Sequence, residues 1–160
     1  MITHPFPPLY NKDSKILILG SFPSVKSREQ NFFYGHPQNR FWKVISAVLE
    51  CETPKTVEEK KRILLENGIA LWDVIASCEI TGSSDSSIKN VRVNDLSAIL
   101  NEADIKQIFV NGKTAEKYFN TYTKSKINRE AICLPSTSPA NAAYSLNSLV
   151  EKWQILRSSL

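Results

Sequence analysis

At 160 residues, 42% of them hydrophobic and 22% charged, the chain has the size and composition of one globular domain, residues 1–160, able to bury a core without disulfide or metal staples. A net charge of +4 at pH 7 tilts it toward a polyanionic partner. The opening MITHPFPPLYNK lacks the regions of a signal peptide, no run is long enough to span a membrane, and Cys51, Cys78 and Cys133 form no CxxC pair. The expectation is a soluble cytoplasmic protein with buried, reduced thiols, no membrane association and no zinc or iron–sulfur centre.

Residues 4–12 hold three prolines beside Phe6, Leu9 and Tyr10, which predicts an extended arm packed by its rings. Ile16 to Leu19 is a continuous apolar run that suits a strand buried on both faces, ended by Gly20 and a tight loop through Ser24. Phe32 to Trp42 then sets five aromatic side chains and four hydrogen-bonding ones around Gly35 and Pro37. A core segment would not carry so many polar groups, nor a solvated loop so many rings. A pocket for a flat, polar ligand needs both. Pro37 suits a first helical turn, and Phe41, Ile45, Val48 and Leu49 predict a helix over about 38–50. Thr56 with Glu59 is a capping-box signature, and Asn67-Gly68 marks the end of that helix. Residues 69–75 (IALWDVI) predict a second strand, 81–87 (TGSSDSS) a polar loop, and Asn94 or Asp95 the cap of a helix to about Ala103. A third strand follows over 105–110, a helix over 113–122, a fourth strand over 131–134, and a closing amphipathic helix from Leu146 to Leu156. Strands alternating with helices predict an α/β fold with a parallel sheet covered on both sides.

In such sheets ligands gather at the carboxyl ends of the strands, which points to Gly20–Ser24 and to Leu134–Asn141. The second loop is rich in hydroxyls. It leads into the last helix, where Ser136 or Ser138 could cap that helix or face a phosphate. No GxGxxG, GxxxxGK[ST] or GxSxG occurs, so dinucleotide, P-loop and serine-hydrolase readings fail. His36 reads first as a hydrogen-bonded structural residue and second as a base. Asp73 follows Trp72 inside an apolar strand, while Asp85 sits among serines and reads as ordering its own loop.

The run Tyr34-Gly35-His36-Pro37-Gln38-Asn39-Arg40-Phe41-Trp42, with GSFPS at 20–24 and LPSTSPAN at 134–141, resembles the uracil-DNA glycosylase superfamily. It is most similar to the hypoxanthine-DNA (deoxyinosine) glycosylase branch, in order over nearly the whole chain. The resemblance implies a three-layer α/β/α sandwich with a central four-stranded parallel sheet, no metal and no cofactor. It implies Asn39 as the catalytic amide and Tyr34 as the ring that stacks on an extruded base. Phe33, Phe22, Ser21 and His36 complete the base-binding set, with Asp85 and Ser24 as further candidates. Ser136, Thr137, Ser138, Pro139 and Asn141 are implied as the loop that grips the DNA backbone. Most of the superfamily carries an Asp or Asn in the first motif to position water. Here the matching residue is Phe22, which cannot polarise water. Ser138 and Pro139 are small plugs for the gap a flipped base leaves.

Breaking an N-glycosidic bond builds positive charge on the sugar and negative charge on the departing base, after the base has left the duplex at a cost of a few kcal/mol. Hypoxanthine and uracil both present a ring N–H beside a carbonyl, and adenine reverses that polarity. One donor and one acceptor therefore accept both lesions. The expected activity is a monofunctional, monomeric DNA glycosylase acting on DNA with a deaminated base, hypoxanthine first and uracil second, in base excision repair. No motif places a lysine for a lyase step. The rivals are a mismatch-specific uracil-DNA glycosylase, a non-catalytic DNA-binding module on the same fold, and a hydrolase of free nucleosides.

Overall fold

The computed structural model describes residues 1–160. Its strands are β1 (Ile2–Thr3), β2 (Ile16–Gly20), β3 (Ile69–Asp73), β4 (Ile75–Glu79), β5 (Lys89–Val93), β6 (Gln107–Asn111) and β7 (Ala131–Leu134). Its α-helices are α1 (Val25–Gln30), α2 (Phe41–Leu49), α3 (Val57–Glu66), α4 (Ser97–Glu102), α5 (Lys113–Tyr118), α6 (Lys124–Ile127) and α7 (Leu146–Trp153).

Four strands form a parallel sheet in the order β3-β2-β6-β7. β2 and β3 are buried at every position, which is why both read as unbroken apolar runs. From β2 the chain crosses to β3 on one side. From β6 it crosses through α5 and α6 to β7 on the other. Right-handed crossovers running in opposite directions put their helices on opposite faces, giving the three-layer α/β/α sandwich. The same reversal opens a crevice between the carboxyl ends of β2 and β6, where such sheets bind ligands.

The arm before β2 is extended and packed by its rings, with Phe6 and Leu9 buried and Leu9 bridged to Leu71. The capping box at Thr56 and Glu59 is formed at the start of α3. Several expectations need correction. The strand expected over 69–75 breaks after Asp73, and β4 leaves the parallel sheet to form a second, antiparallel one in the order β1-β4-β5. This sheet was not foreseen, because register shifts along β4 and β5 blur their alternation. The six residues of α1 were also missed, since VKSREQ has no apolar stripe and only the Ser24 cap marks its start. The helix expected from residue 38 begins at Phe41, and Pro37 lies in the turn before it. Ser145, with Ser148, caps α7, so neither Ser136 nor Ser138 does. Of the three thiols, only Cys78 is buried; Cys133 is half-buried and Cys51 is exposed.

Candidate active site

A cavity of about 500 Å³ opens at the crevice between β2 and β6. Its floor comes from the strand ends. Gly20 and Asp73 are register partners at the ends of β2 and β3. A Cβ on Gly20 would sit 2.5 Å from Asp73 Oδ1 and 3.0 Å from the Tyr34 hydroxyl oxygen, so only glycine lets both groups converge there. Asp73 is 4% exposed. Its Oδ2 lies 2.7 Å from Nε2 of His4, delivered by the N-terminal arm. Nδ1 of that ring accepts the Phe6 N–H at 3.5 Å, so the proton sits on Nε2 and is donated to the carboxylate. Phe6 and Trp72 hold the imidazole at centroid separations of 4.5 and 4.4 Å. Asp73 Oδ1 makes no hydrogen bond within the chain and remains an acceptor at the cavity floor.

At the end of β6, Asn111 Nδ2 donates to Thr137 Oγ1 at 3.0 Å and its Oδ1 accepts the Thr137 N–H at 3.1 Å. This pair ties the 134–141 loop to the central sheet, with Thr137 fully buried. Arg40 ties the same loop to the aromatic cluster. Its backbone N–H donates to the Thr137 carbonyl, and its guanidinium donates to the carbonyls of Ser138, Asn141 and Tyr144. A planar fork with several fixed donors suits this task, and a lysine would not replace it.

The aromatic segment forms one wall. Tyr34 takes a left-handed conformation, φ 53°, and its ring lies flat on Phe41 with centroids 4.0 Å apart. One face is thus already covered, and the other is the only one left for a flat ligand. The Tyr34 hydroxyl is buried without a partner. Burial, then the nearby Asp73 charge, pushes its pKa far up, so it stays a neutral phenol. Gly35 donates its N–H to Ser27 Oγ at 2.9 Å, and Ser24 Oγ caps α1 and donates to the same hydroxyl at 3.1 Å. Ser24 therefore lines the cavity but is spent on the helix start. His36 Nδ1 accepts the Gln38 N–H at 3.1 Å, a structural use, while the ring borders the cavity. Asn39 Oδ1 accepts the Phe41 N–H at 2.9 Å, an Asx turn that leads into α2. Its Nδ2 is left open to the cavity as a donor.

Ser21, Phe22, Ser24, Phe33, Tyr34, His36, Asn39, Asp85, Ser136, Thr137, Ser138 and Pro139 all border the one cavity. Asn141 does not. It braces the loop from behind, its Nδ2 donating to the Ser136 carbonyl at 3.0 Å. Phe33 is 3% exposed and packs on His4, Phe6 and Trp72, so it offers the cavity little more than an edge. Phe22 turns into a small cluster with Ile75, Cys78 and Ile88. Sequence reasoning did not place His4, Asp73 or Asn111 in the site. A carboxylate in an otherwise apolar strand was the available signal for Asp73. No group of three His, Cys, Asp or Glu side chains is disposed to hold a metal ion.

Comparison with known proteins now adds a family. The sequence profile described as "Uracil DNA glycosylase superfamily" matches residues 7–158. A Methanosarcina acetivorans protein named hypoxanthine DNA glycosylase is 35% identical over 149 residues, covering 92% of this chain and 93% of its own. Its namesake from Methanosarcina barkeri is 34% identical over 116 residues, 71% of this chain and 73% of its own. A solution NMR structure of a Methanosarcina acetivorans protein, described as a candidate uracil DNA glycosylase, superposes with a TM-score of 0.80 at 31% identity, covering 98% of this chain and 99% of that one.

Proposed function

The chain belongs to the uracil DNA glycosylase superfamily, and from that premise we propose that it is a DNA glycosylase that releases hypoxanthine from deoxyinosine in DNA, with uracil as its second substrate, leaving an abasic site for base excision repair. It works as a monomer of one domain, without metal or cofactor. The single observation that carries this reading is the cavity itself. A carboxylate acceptor stands at its floor, an amide donor at its wall, and a ring with one free face between the strand ends.

A base turned out of the duplex enters ring first, so the deep groups meet its edge and the loops at the mouth meet sugar and phosphate. Asp73 Oδ1 accepts the N–H of hypoxanthine N1, or of uracil N3. Adenine offers a lone pair at that atom and meets a carboxylate, which repels it. His4 keeps the other oxygen occupied and so fixes which one faces the base. Tyr34 stacks on the base with the face that Phe41 leaves free, worth roughly 1–3 kcal/mol per base. Asn39 donates through Nδ2 toward the departing base, where negative charge grows as the bond breaks. Ser136, Ser138 and Pro139 lie along the backbone of the bound strand, on a loop that the buried Thr137 anchors to Asn111. Arg40 keeps that loop in register with Asn39.

The test is single-turnover base release from four duplexes carrying hypoxanthine, uracil, xanthine or ethenocytosine. Hypoxanthine is expected fastest and uracil next. Uracil released faster than hypoxanthine from mismatched pairs would favour the mismatch-specific uracil activity instead. Salt-dependent DNA binding with no base released would leave only a binding module.

A further inference from the structure

Phe22 gives the first motif no group that can polarise water, and Asn39 has its carbonyl oxygen engaged by the Phe41 N–H. A neutral amide so occupied offers an attacking water a donor but no destination for its proton. We infer that Asp85 is a catalytic carboxylate: it accepts the proton of the water that attacks the sugar, a task Phe22 cannot perform. The inference rests on the glycosylase reading above and adds a residue to it.

Asp73 and Asp85 are the two carboxylates that border the cavity. The first is held by His4 at the floor. Asp85 stands instead in the loop between β4 and β5, at the start of a short 3₁₀ turn over Asp85–Ser87. Its expected role, ordering that loop, is filled by the serines. Ser87 Oγ accepts the Thr81 N–H at 2.8 Å and donates to the Ser84 carbonyl at 2.6 Å. Ser83 Oγ accepts the Val25 N–H at 2.9 Å, and Arg28 donates to the Gly82 carbonyl at 2.5 Å, both from α1. The 3₁₀ turn has no side-chain cap. The loop is thus built firmly while the Asp85 carboxylate is left out of its construction.

The Phe22 ring packs with Ile88, the residue that closes this loop, so the first motif anchors the segment that carries Asp85. The hydroxyls of Ser21, in the first motif, and Thr114, in α5, face the Asp85 carboxyl. Three elements therefore converge on it. Asp85 is exposed as a residue, yet partial desolvation of its carboxyl raises its pKa from the ordinary carboxylate value, and the Thr114 and Ser21 hydroxyls oppose that shift. A base moved toward neutrality accepts a proton more readily.

In the step, the water oxygen bonds to the anomeric carbon and its proton passes to Asp85. The electrons of the glycosidic bond leave with hypoxanthine, which takes a proton from solvent. Cys78 and Tyr118 are the titratable neighbours of Asp85, and Arg28 lies near the same thiol. Burial holds the thiol and the phenol above their ordinary pKa values, so both stay neutral through the acid range. His36 and Asp73 are the other ionisable groups on the cavity, which is why the acid limb must be assigned by substitution.

The experiment compares wild type, Asp85→Asn and Asp85→Glu in single-turnover release of hypoxanthine from an inosine duplex between pH 4.5 and 8, with binding to abasic duplex and thermal melting measured alongside. Asp85→Asn is expected to lose about 100-fold or more in rate, in the range general-base catalysis supplies. It should keep abasic-DNA affinity and melting, and lose the low-pH fall in rate that wild type shows. Asp85→Glu should recover part of the rate and the acid limb. A wild type that releases hypoxanthine beside an Asp85→Asn variant within about threefold of it, or with the same acid limb, overturns the assignment but leaves the glycosylase reading standing. A wild type that binds DNA and releases nothing overturns both. Should Asp85→Asn melt early, the Asp85→Glu profile decides: a rate a hundredfold below wild type at every pH, with the acid limb unmoved in position, would count against a carboxylate at position 85 in the proton transfer.

Discussion

The floor of the cavity and its rim are held by different forces. The floor stands on β2 and β3, whose residues are all buried, and its polar groups ride on strand ends that apolar packing has already fixed. The rim is loop throughout, and side chains bonded to main-chain groups hold it: Asn39 to Phe41, Arg40 to three carbonyls, Asn111 to Thr137, Ser87 to Thr81 and Ser84. The lesson is that depth and chemistry are separately adjustable. A rim residue is expected to change rate with little change in folding, whereas a floor residue acts through the position of its neighbours.

The largest effect is expected at the rim. Asn39→Ala should cost about 100- to 1000-fold in single-turnover release, the range for losing one donor to developing charge. It should also lower unfolding free energy by only about 0.5–1.5 kcal/mol, the net value of one hydrogen bond. Chemical denaturation beside the kinetics checks both, and a rate within tenfold of wild type would remove the amide from the mechanism. Next comes the floor. Gly20→Ala sets a methyl 2.5 Å from Asp73 Oδ1, and a misplacement of about 1 Å can cost up to 100-fold. Discrimination against adenine should fall with the rate, measured as the ratio of release from inosine and adenosine duplexes. An unchanged ratio would break the link between the floor and base choice. The smallest effect is expected from Arg40→Lys, which keeps the charge but cannot reach three carbonyls at once. Abasic-duplex affinity should weaken by several-fold, or about 1 kcal/mol, roughly one net hydrogen bond. If rate falls and affinity does not, the loop orients the sugar rather than gripping the strand.

The same division governs what could be read from the sequence. The inner strands of the parallel sheet were legible because burial on both faces leaves mainly apolar side chains, as Ile16 to Leu19 and Ile108 to Val110 show. The α3 cap was legible because Thr56 and Glu59 stand at the required spacing. The aromatic segment and the 134–141 loop drew notice through composition, and the structure brings both to one cavity. The second sheet was not legible, since β1 has two residues and β4 pairs with β5 through register shifts. His4 and Asp73 stand 69 residues apart, and only the arm folding back over β3 makes them a pair. Asp85 was visible as a carboxylate among serines, but only the hydrogen bonds separate the serines that build the loop from the acid that does not.

The most direct measurement is a crystal structure of the Asn39→Ala variant bound to a deoxyinosine duplex, in which slow chemistry preserves the substrate. The account predicts hypoxanthine lodged in the cavity, its N1 within hydrogen-bond distance of Asp73 Oδ1, its plane on the free face of Tyr34 and its sugar beside position 39. A hypoxanthine still stacked in the duplex, with the protein touching phosphates alone, would contradict it.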